Sequence, residues 1–379
     1  MLYSPRRMAT PQTAVELLQA LIRIPSVNPE GDPGTAHTGE QAIAEWLAGW
    51  LRSEFPDARV ELRDVLPGRP NVVARFSDGG EKKPRLLFAP HTDTVSVGGM
   101  TIDPFGGEMR DGRVWGRGAS DTKGTMAAML WALRESRERL GSLGHEIWFA
   151  GLCSEEAGQH GSRALAEQER FDFVIAGEPT GLDAVVAHKG ALWLTLTTRG
   201  RAVHAAAPER GENAIYKMAD VLRCVRDELP ATLGPAEHPL LGRTTVSAGT
   251  VKGGSKINIV PDICTAEVDI RCLPGDATLL ERVSTRLRAV CADLEIAHTS
   301  SQPMLTDRSH AVIRVLEKCG SVCIGAPWFS DAGVFAAAGM PAIALGPGSI
   351  AQAHTRDEWI AVADLEKGVA FFRDFLSRL

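Results

Sequence analysis

The chain has no long apolar run. None of its 379 residues falls in a stretch approaching the ~20 consecutive apolar residues that a membrane-spanning helix requires, and the most apolar segment, 333–348, is broken by Gly339, Pro341 and Pro347. Cysteine is sparse and unpaired in pattern: seven are scattered, only Cys319 and Cys323 lie close together, and no nearby histidine completes a zinc knuckle. Neutral thiols rather than disulfides are therefore expected. Excess positive charge is also missing. Lys and Arg number 41 against 47 Asp and Glu, a net charge of −6, and the tryptophans form no stacking platform. Nucleic acid and anionic membrane are poor partners for such a surface. The amino-terminal MLYSPRRMATPQTAVELLQALIRIPSV carries two arginines but no apolar run with a small-residue cleavage site. It reads as a short tail, in which Met8 is an alternative start, followed by an amphipathic helix from about Pro11. A cytoplasmic protein is the default. No repeat and no low-complexity tract is present.

What is present is ordinary for a folded chain, with 44% hydrophobic and 23% charged residues. At this length two domains are expected, since single cores stop growing near ~250–300 residues. The first 190 residues alternate strand and helix signals, which predicts a mixed, mainly parallel sheet flanked by helices. RLLFAP (85–90), 146–152 and 171–176 read as buried strands, and 121–140 as a helix stopped by Gly141. From about Leu192 the order changes to β-α-β-β-α-β, a ferredoxin-like α+β unit. A helix at 310–318, a strand at 342–345 and a carboxyl-terminal helix from Ala363 then resume the α/β pattern. The boundaries predicted are a discontinuous catalytic, metal-binding domain, 1–188 plus 301–379, interrupted by an inserted domain over 189–300.

The acids fall in a pattern. His91 and Asp93 follow the RLLFAP strand, Asp121 opens a helix after GRGAS, Glu155 and Glu156 follow EIWFAGL, and Glu178 follows FVIAG. In open α/β sheets ligands bind beyond the carboxyl ends of the strands, so several segments deliver carboxylate or imidazole to one rim. Carboxylates so concentrated suppress each other's ionisation unless a cation is present. A pair of divalent cations would be neutralised by three ligating carboxylates and one hydroxide, provided that one carboxylate is shared. Taken singly, HxD at a strand end, an adjacent Glu-Glu and an isolated Gly-Glu-Pro are each compatible with ordinary turns; their joint occurrence points to metal.

These residues resemble a known family. HTDTV, DPFGGEMRDGRVWGRGASDTKGTMAAM, SEE, GEPT, AHKG, GRAVHAAAPERGENAI, INIVPDICTAEVDIRCLPG and GPGSIAQAHTRDEW occur in the order found in the dinuclear zinc amidohydrolases. That family includes acetylornithine deacetylase, succinyl-diaminopimelate desuccinylase, aminoacylase and glutamate carboxypeptidase. The similarity runs from about Ile24 to Trp359. It implies a zinc-peptidase-like catalytic domain and an inserted dimerisation or lid domain. The implied ligands are His91, Asp121, Glu156, Glu178 and His354, with Asp121 bridging two zinc ions for which cobalt can substitute. The resemblance further implies that Asp93 orients His91, that the Asp121–Thr122 peptide is cis, and that Glu155 is the general base acting on a metal-bridging water. His204 would stabilise the oxyanion from the partner subunit of a homodimer. Arg271 would clamp the substrate carboxylate beside Asn258, and Gly346, Gly348 and Ser349 would offer backbone N–H groups.

The GEPT, AHKG, RGxNAI and GPGSxxQAH motifs look closest to acetylornithine deacetylase. The implied reaction is hydrolysis of an N-acyl, in the first instance N-acetyl, L-amino acid, in arginine biosynthesis. Alternatives are a desuccinylase, or a dipeptidase or carboxypeptidase with the same metal pair. A non-catalytic binding protein on the same fold would have lost a ligand or the base, and here all are present.

Overall fold

A computed structural model of the chain describes residues 10–31, 37–76, 83–234 and 236–379. The tail with Met8 lies outside the described residues. The chain divides into two compact units, Met1–Val186 with Thr306–Ile324 and Ser330–Leu379, and Ala187–Leu305 with Gly325–Phe329.

The first unit is built on a mixed, mainly parallel sheet. Its strands lie in the order Arg59–Leu66, Arg69–Arg75, Glu146–Gly151, Arg85–Pro90, Phe173–Gly177, Ala342–Leu345, Ala184–His188. The four central strands from Glu146–Gly151 to Ala342–Leu345 pair in parallel, and antiparallel strands flank them. Beyond the charged residues that open two of them, Arg85 and Glu146, the central strands are apolar because helices cover them, as parallel sheets require. The Arg59–Arg75 hairpin is an element beyond the expected ones. Its signal was the Pro67-Gly68 turn, in which Gly68 takes φ +70°.

The helix expected over 121–140 begins at Lys123 and ends at Glu135, and Arg137–Ser142 continues as a short 3₁₀ turn. Gly141 therefore does not stop the α-helix. Almost every side chain of Lys123–Leu133 is buried, so this helix runs through the core of the unit rather than over its surface. The carboxyl-terminal helix Val362–Ser377 closes the same core, with Phe372 and Phe375 meeting Phe88 edge-on at 5.8 and 6.3 Å between ring centroids.

The second unit carries the expected ferredoxin-like order. Strand Gly190–Arg199, helix Ala214–Asp227, strands Thr245–Gly253 and Ile263–Cys272, helix Leu279–Val290 and strand Glu295–Ser301 follow one another. Its antiparallel sheet reads second, third, first, fourth strand. Asn213 caps the first helix, its Oδ1 accepting from Ile215 and Tyr216. All seven cysteines are free.

Removing the Phe375 ring should leave a cavity between the last helix and the sheet. Phe375→Ala is expected to lower the stability of the first unit by about 3–5 kcal/mol, read from urea unfolding followed by tryptophan fluorescence. A loss under about 1 kcal/mol, the range of mild surface changes, would show that the helix end lies outside the core.

Candidate metal centre

The register of the parallel strands decides what lies at their carboxyl ends. Pro90 pairs with Gly177 and Gly177 with Leu345, so His91, Glu178 and Gly346 leave the sheet at one level. A further bridge sets His91 beside Leu152, three residues before Glu155. The Thr122 hydroxyl donates to the Gly177 carbonyl (2.8 Å), tying the Asp121–Thr122 segment to the same rim. The Asp121–Thr122 peptide is cis.

Two ligand sets meet at Asp121. His91, Asp121 and Glu178 each offer an atom within 4.8 Å of the others, and so do Asp121, Glu156 and His354. His91 Nε2 is 3.2 Å from Asp121 Oδ1. His354 Nε2 lies 3.0 Å from Glu156 Oε2 and 3.4 Å from Asp121 Oδ2. His91, Asp121 and Glu178 are buried, Glu156 is half-buried with its side chain turned inward, and the His354 side chain is 58% exposed. His91 Nδ1 faces the Asp93 carbonyl oxygen at 2.9 Å and the Asp93 carboxylate at 3.5 Å. A carbonyl only accepts, so Nδ1 carries the proton and Nε2 keeps a lone pair for a cation.

The electrostatics ask for that cation. Burial, reinforced by the neighbouring charge of Glu178, drives Glu155 well above the usual carboxylate range. Burial and the Asp121 charge do the same to Glu178, and push Glu156 up to about 7. Burial works against the charged form of His91, but its bonds to Asp121 and Asp93 outweigh this and hold it well above its ordinary value. The Glu156 carboxylate raises His354. Without a cation these groups must share protons. Glu156 Oε1 is buried and has no hydrogen-bond partner. Four carboxylate or imidazole groups around one shared aspartate, with a buried carboxylate oxygen left unpaired, fit a pair of divalent ions.

Several residues hold this arrangement, and of them only Asp93 was singled out in the sequence. Glu358, fully buried, accepts from the backbone of Gly118 (2.9 Å), Ser120 (2.7 Å) and Asp121 (2.8 Å), and from Arg117 (2.9 Å). It thereby fixes the loop that ends in Asp121. Asp93 spends its carboxylate on the backbone N–H of Glu155 (2.9 Å) and Glu156 (3.0 Å) and on Asn28 Nδ2 (2.8 Å). It is thus an anchor for the Glu155–Glu156 turn more directly than for the His91 ring. Lys123, buried in the core, donates to the carbonyls of Leu21 and Ile24. Asp331, at the start of a helix, accepts from Ser162 and adds to the charge facing Glu155 and Glu178.

The other expected site residues divide between the units. Gly346 packs so closely that a Cβ there would lie 2.3 Å from Thr125 Oγ1 and 2.6 Å from the Glu178 carbonyl. Its N–H already donates to Thr180 Oγ1 (3.2 Å). The Gly348 carbonyl accepts from Gly181, and the Ser349 hydroxyl accepts from Ala351 at the start of a 3₁₀ turn. In the second unit His204 and Asn258 are neighbours: His204 bridges Ile259, and Ala205 N–H donates to the Asn258 carbonyl. Arg271, in that unit too, pairs with Asp269 at 3.0 Å and lies over the Phe329 ring. Lys189 spends its ammonium on the Arg243 carbonyl.

Comparison with known proteins agrees with this geometry. Residues 87–378 match the sequence profile of peptidase family M20/M25/M40. Among curated relatives, acetylornithine deacetylase of Proteus mirabilis is 30% identical over 371 residues, 93% of each chain. That of Yersinia pseudotuberculosis is 33% identical over 382 residues, covering 93% of this chain and 94% of the relative. Among solved structures, a metallo-carboxypeptidase from Sulfolobus solfataricus superposes with a TM-score of 0.79 at 20% identity, over 96% of this chain and 98% of the other. A Bacillus subtilis protein described as a dinuclear metal binding peptidase gives 0.66 at 14% identity, over 96% of each. With its profile match spanning most of the sequence and relatives aligned along nearly all of it, the chain belongs to peptidase family M20/M25/M40 and is a metal-dependent amidohydrolase.

Proposed function

We propose that this chain hydrolyses the amide bond of an N-acetyl L-amino acid with an ornithine-like side chain, releasing acetate and the free amino acid. The observation that carries the reading is the shared aspartate: Asp121 stands between two histidine–carboxylate sets, while Glu155 stands beside them with no place in either. The curated acetylornithine deacetylases at 30–33% identity support the choice of substrate.

His91, Asp121 and Glu178 would hold one zinc ion, and Asp121, Glu156 and His354 the other, with cobalt able to substitute. Bound there, the ions would supply Lewis acidity toward the amide carbonyl and toward a water. Glu155 takes the proton from the attacking water at a carboxylate oxygen and delivers it to the departing amine nitrogen. Its burial suits it to the task, since a carboxylate raised well above its usual range takes up a proton more firmly and can carry it to the leaving group. Asp93 keeps His91 Nδ1 protonated and holds the Glu155 backbone in place.

The remaining roles rest on the motifs of the second unit. His204 donates to the oxyanion, contributed by the partner in a homodimer formed through residues 189–300, and Arg271 receives the substrate carboxylate in bidentate fashion beside Asn258. In this reading Arg271 leaves Asp269 when substrate arrives. Gly348 and Ser349, with Gly346, line the substrate's path with backbone. Seven free cysteines suit a reducing, cytoplasmic setting. Among the described residues no helix is long and apolar enough to cross a membrane.

Release of free amine from N-acetyl, N-succinyl and dipeptide substrates, with zinc or cobalt present and after chelation, tests the reading. Metal-dependent release from an N-acetyl amino acid is expected; preference for dipeptides or for the succinyl compound would overturn the substrate assignment. Glu155→Gln is expected to lower turnover by at least ~10²-fold with metal content unchanged, and retained turnover would remove Glu155 from its role.

Metal uptake should release protons. The acids at the site are held protonated to unusually high pH, Glu156 to about 7, whereas the metal-binding form is deprotonated. Apparent affinity should therefore rise with pH from 6 to 8, with about one or more protons released per ion, as calorimetry in buffers of different ionisation enthalpy would detect. Uptake independent of pH would mean that the ligands are already deprotonated in the metal-free chain.

A further inference from the structure

The turn that presents Glu155 is held by an unusual row of acceptors. Four consecutive backbone N–H groups each donate to a side-chain oxygen. Cys153 N–H reaches Asn71 Oδ1 (3.0 Å), Ser154 N–H reaches Glu40 Oε1 (3.1 Å), Glu155 N–H reaches Asp93 Oδ1 (2.9 Å) and Glu156 N–H reaches Asp93 Oδ2 (3.0 Å). No sheet or helix ladder serves these amides, so side chains set the path of the backbone. That path is not a relaxed one, because Ser154 takes φ +66°, a region non-glycine residues seldom occupy.

Glu40 is the member of this row that local structure does not explain. It occupies the N-cap position of the helix Gln41–Glu54, where Ser, Thr, Asp or Asn would bond the first turn, yet its side chain makes no cap bond. The carboxylate instead turns inward, fully buried, into a two-pronged pair with Arg69. Arg69 Nε donates to Oε2 at 2.7 Å and Nη2 to Oε1 at 2.8 Å. Arg69 and Asn71 stand two apart on one strand and so present the same face toward the turn. Asn71 Nδ2 also donates to the Gly161 carbonyl (2.8 Å), and a Cβ on Gly161 would fall 2.6 Å from Asn71 Oδ1. Burying an ion pair brings little stability over an apolar pair of the same size, so stability alone does not account for placing one here. What the pair does provide is a carboxyl group with a fixed orientation, aimed at Ser154 N–H.

We propose that Glu40, oriented by Arg69, is a positioning residue for the reaction: by holding Ser154 N–H it fixes the backbone from which Glu155 meets the attacking water. This rests on the reading of Glu155 as the base. Glu40 itself touches neither the metal ligands' donor atoms nor the substrate in this account; it acts only through the turn.

The test uses the metal-loaded enzyme. Glu40→Met/Arg69→Met replaces the pair by apolar side chains of similar length and leaves no orphaned charge. The expected result is a fall in kcat of about 10- to 100-fold, in line with a small misplacement of a reacting group, with KM within about threefold of the original and metal content unchanged. Glu40→Gln keeps an oxygen before Ser154 but weakens it as an acceptor, and should fall between, about 3- to 10-fold down in kcat. In both variants the Ser154 amide should exchange hydrogen at least about tenfold faster at single-residue resolution. Should the double variant fail to fold, Glu40→Gln decides alone. The proposal is overturned by unchanged kcat in a folded variant, by a loss carried in KM alone, or by a loss that excess metal restores. Glu155→Gln assayed in parallel separates the two readings. If it remains active the base assignment fails, while Ser154 exchange still reports whether Glu40 holds the turn.

Discussion

Charge repulsion among buried carboxylates is the constraint to which the first unit is built. Asp121, Glu155, Glu156 and Glu178 converge at the carboxyl ends of parallel strands, and burial alone would drive Glu155, Glu156 and Glu178 toward their protonated forms. Two histidines do not balance four acids. The proposed pair of divalent cations sharing Asp121 would, and it would convert the crowding into affinity, with Asp121, Glu156 and Glu178 as its carboxylate ligands. The same crowding leaves Glu155, which belongs to neither ligand set, with a strong hold on a proton. That hold is what a base that must return its proton to a leaving group needs.

Converging acids have to be held where they repel, and this falls to a second row of polar groups bonded to backbone. Glu358 gathers three amides and Arg117 around the approach to Asp121. Asp93 gathers the amides of Glu155 and Glu156, and Glu40 with Asn71 takes the two before them. In each case buried acceptors satisfy N–H groups that no regular structure pairs, so side chains set the path of these loops. Lys123 ties the start of the central helix to the end of Ala14–Ile22 in the same manner, through carbonyls.

The sequence disclosed the ligands better than their supports, and the reason is physical. Buried parallel strands are apolar throughout, so RLLFAP and FVIAG announce themselves, and the residue after each is placed by the sheet rule without further knowledge. His91, Glu155, Glu156 and Glu178 were legible in that way. His354 was not: it sits in a loop with φ +59°, and only the likeness of GPGSIAQAHTRDEW to a family motif marked it. Glu358 lies within that same motif yet reads as a solvated charge, because its partners stand some 240 residues away along the chain. Glu40, Asn28 and Asn71 gave no signal. The Arg59–Arg75 hairpin was marked by its Pro-Gly turn alone. The helix end at Glu135 was obscured because the following 3₁₀ turn continues the helical spacing up to Gly141.

The shared ligand is the claim on which the rest stands, and anomalous diffraction at the zinc edge from zinc-loaded crystals tests it most directly. Two ions are predicted, both within about 2.0–2.2 Å of an Asp121 carboxylate oxygen, one also bound by His91 and Glu178 and the other by Glu156 and His354. A single ion, or two ions without Asp121 in common, would contradict the account.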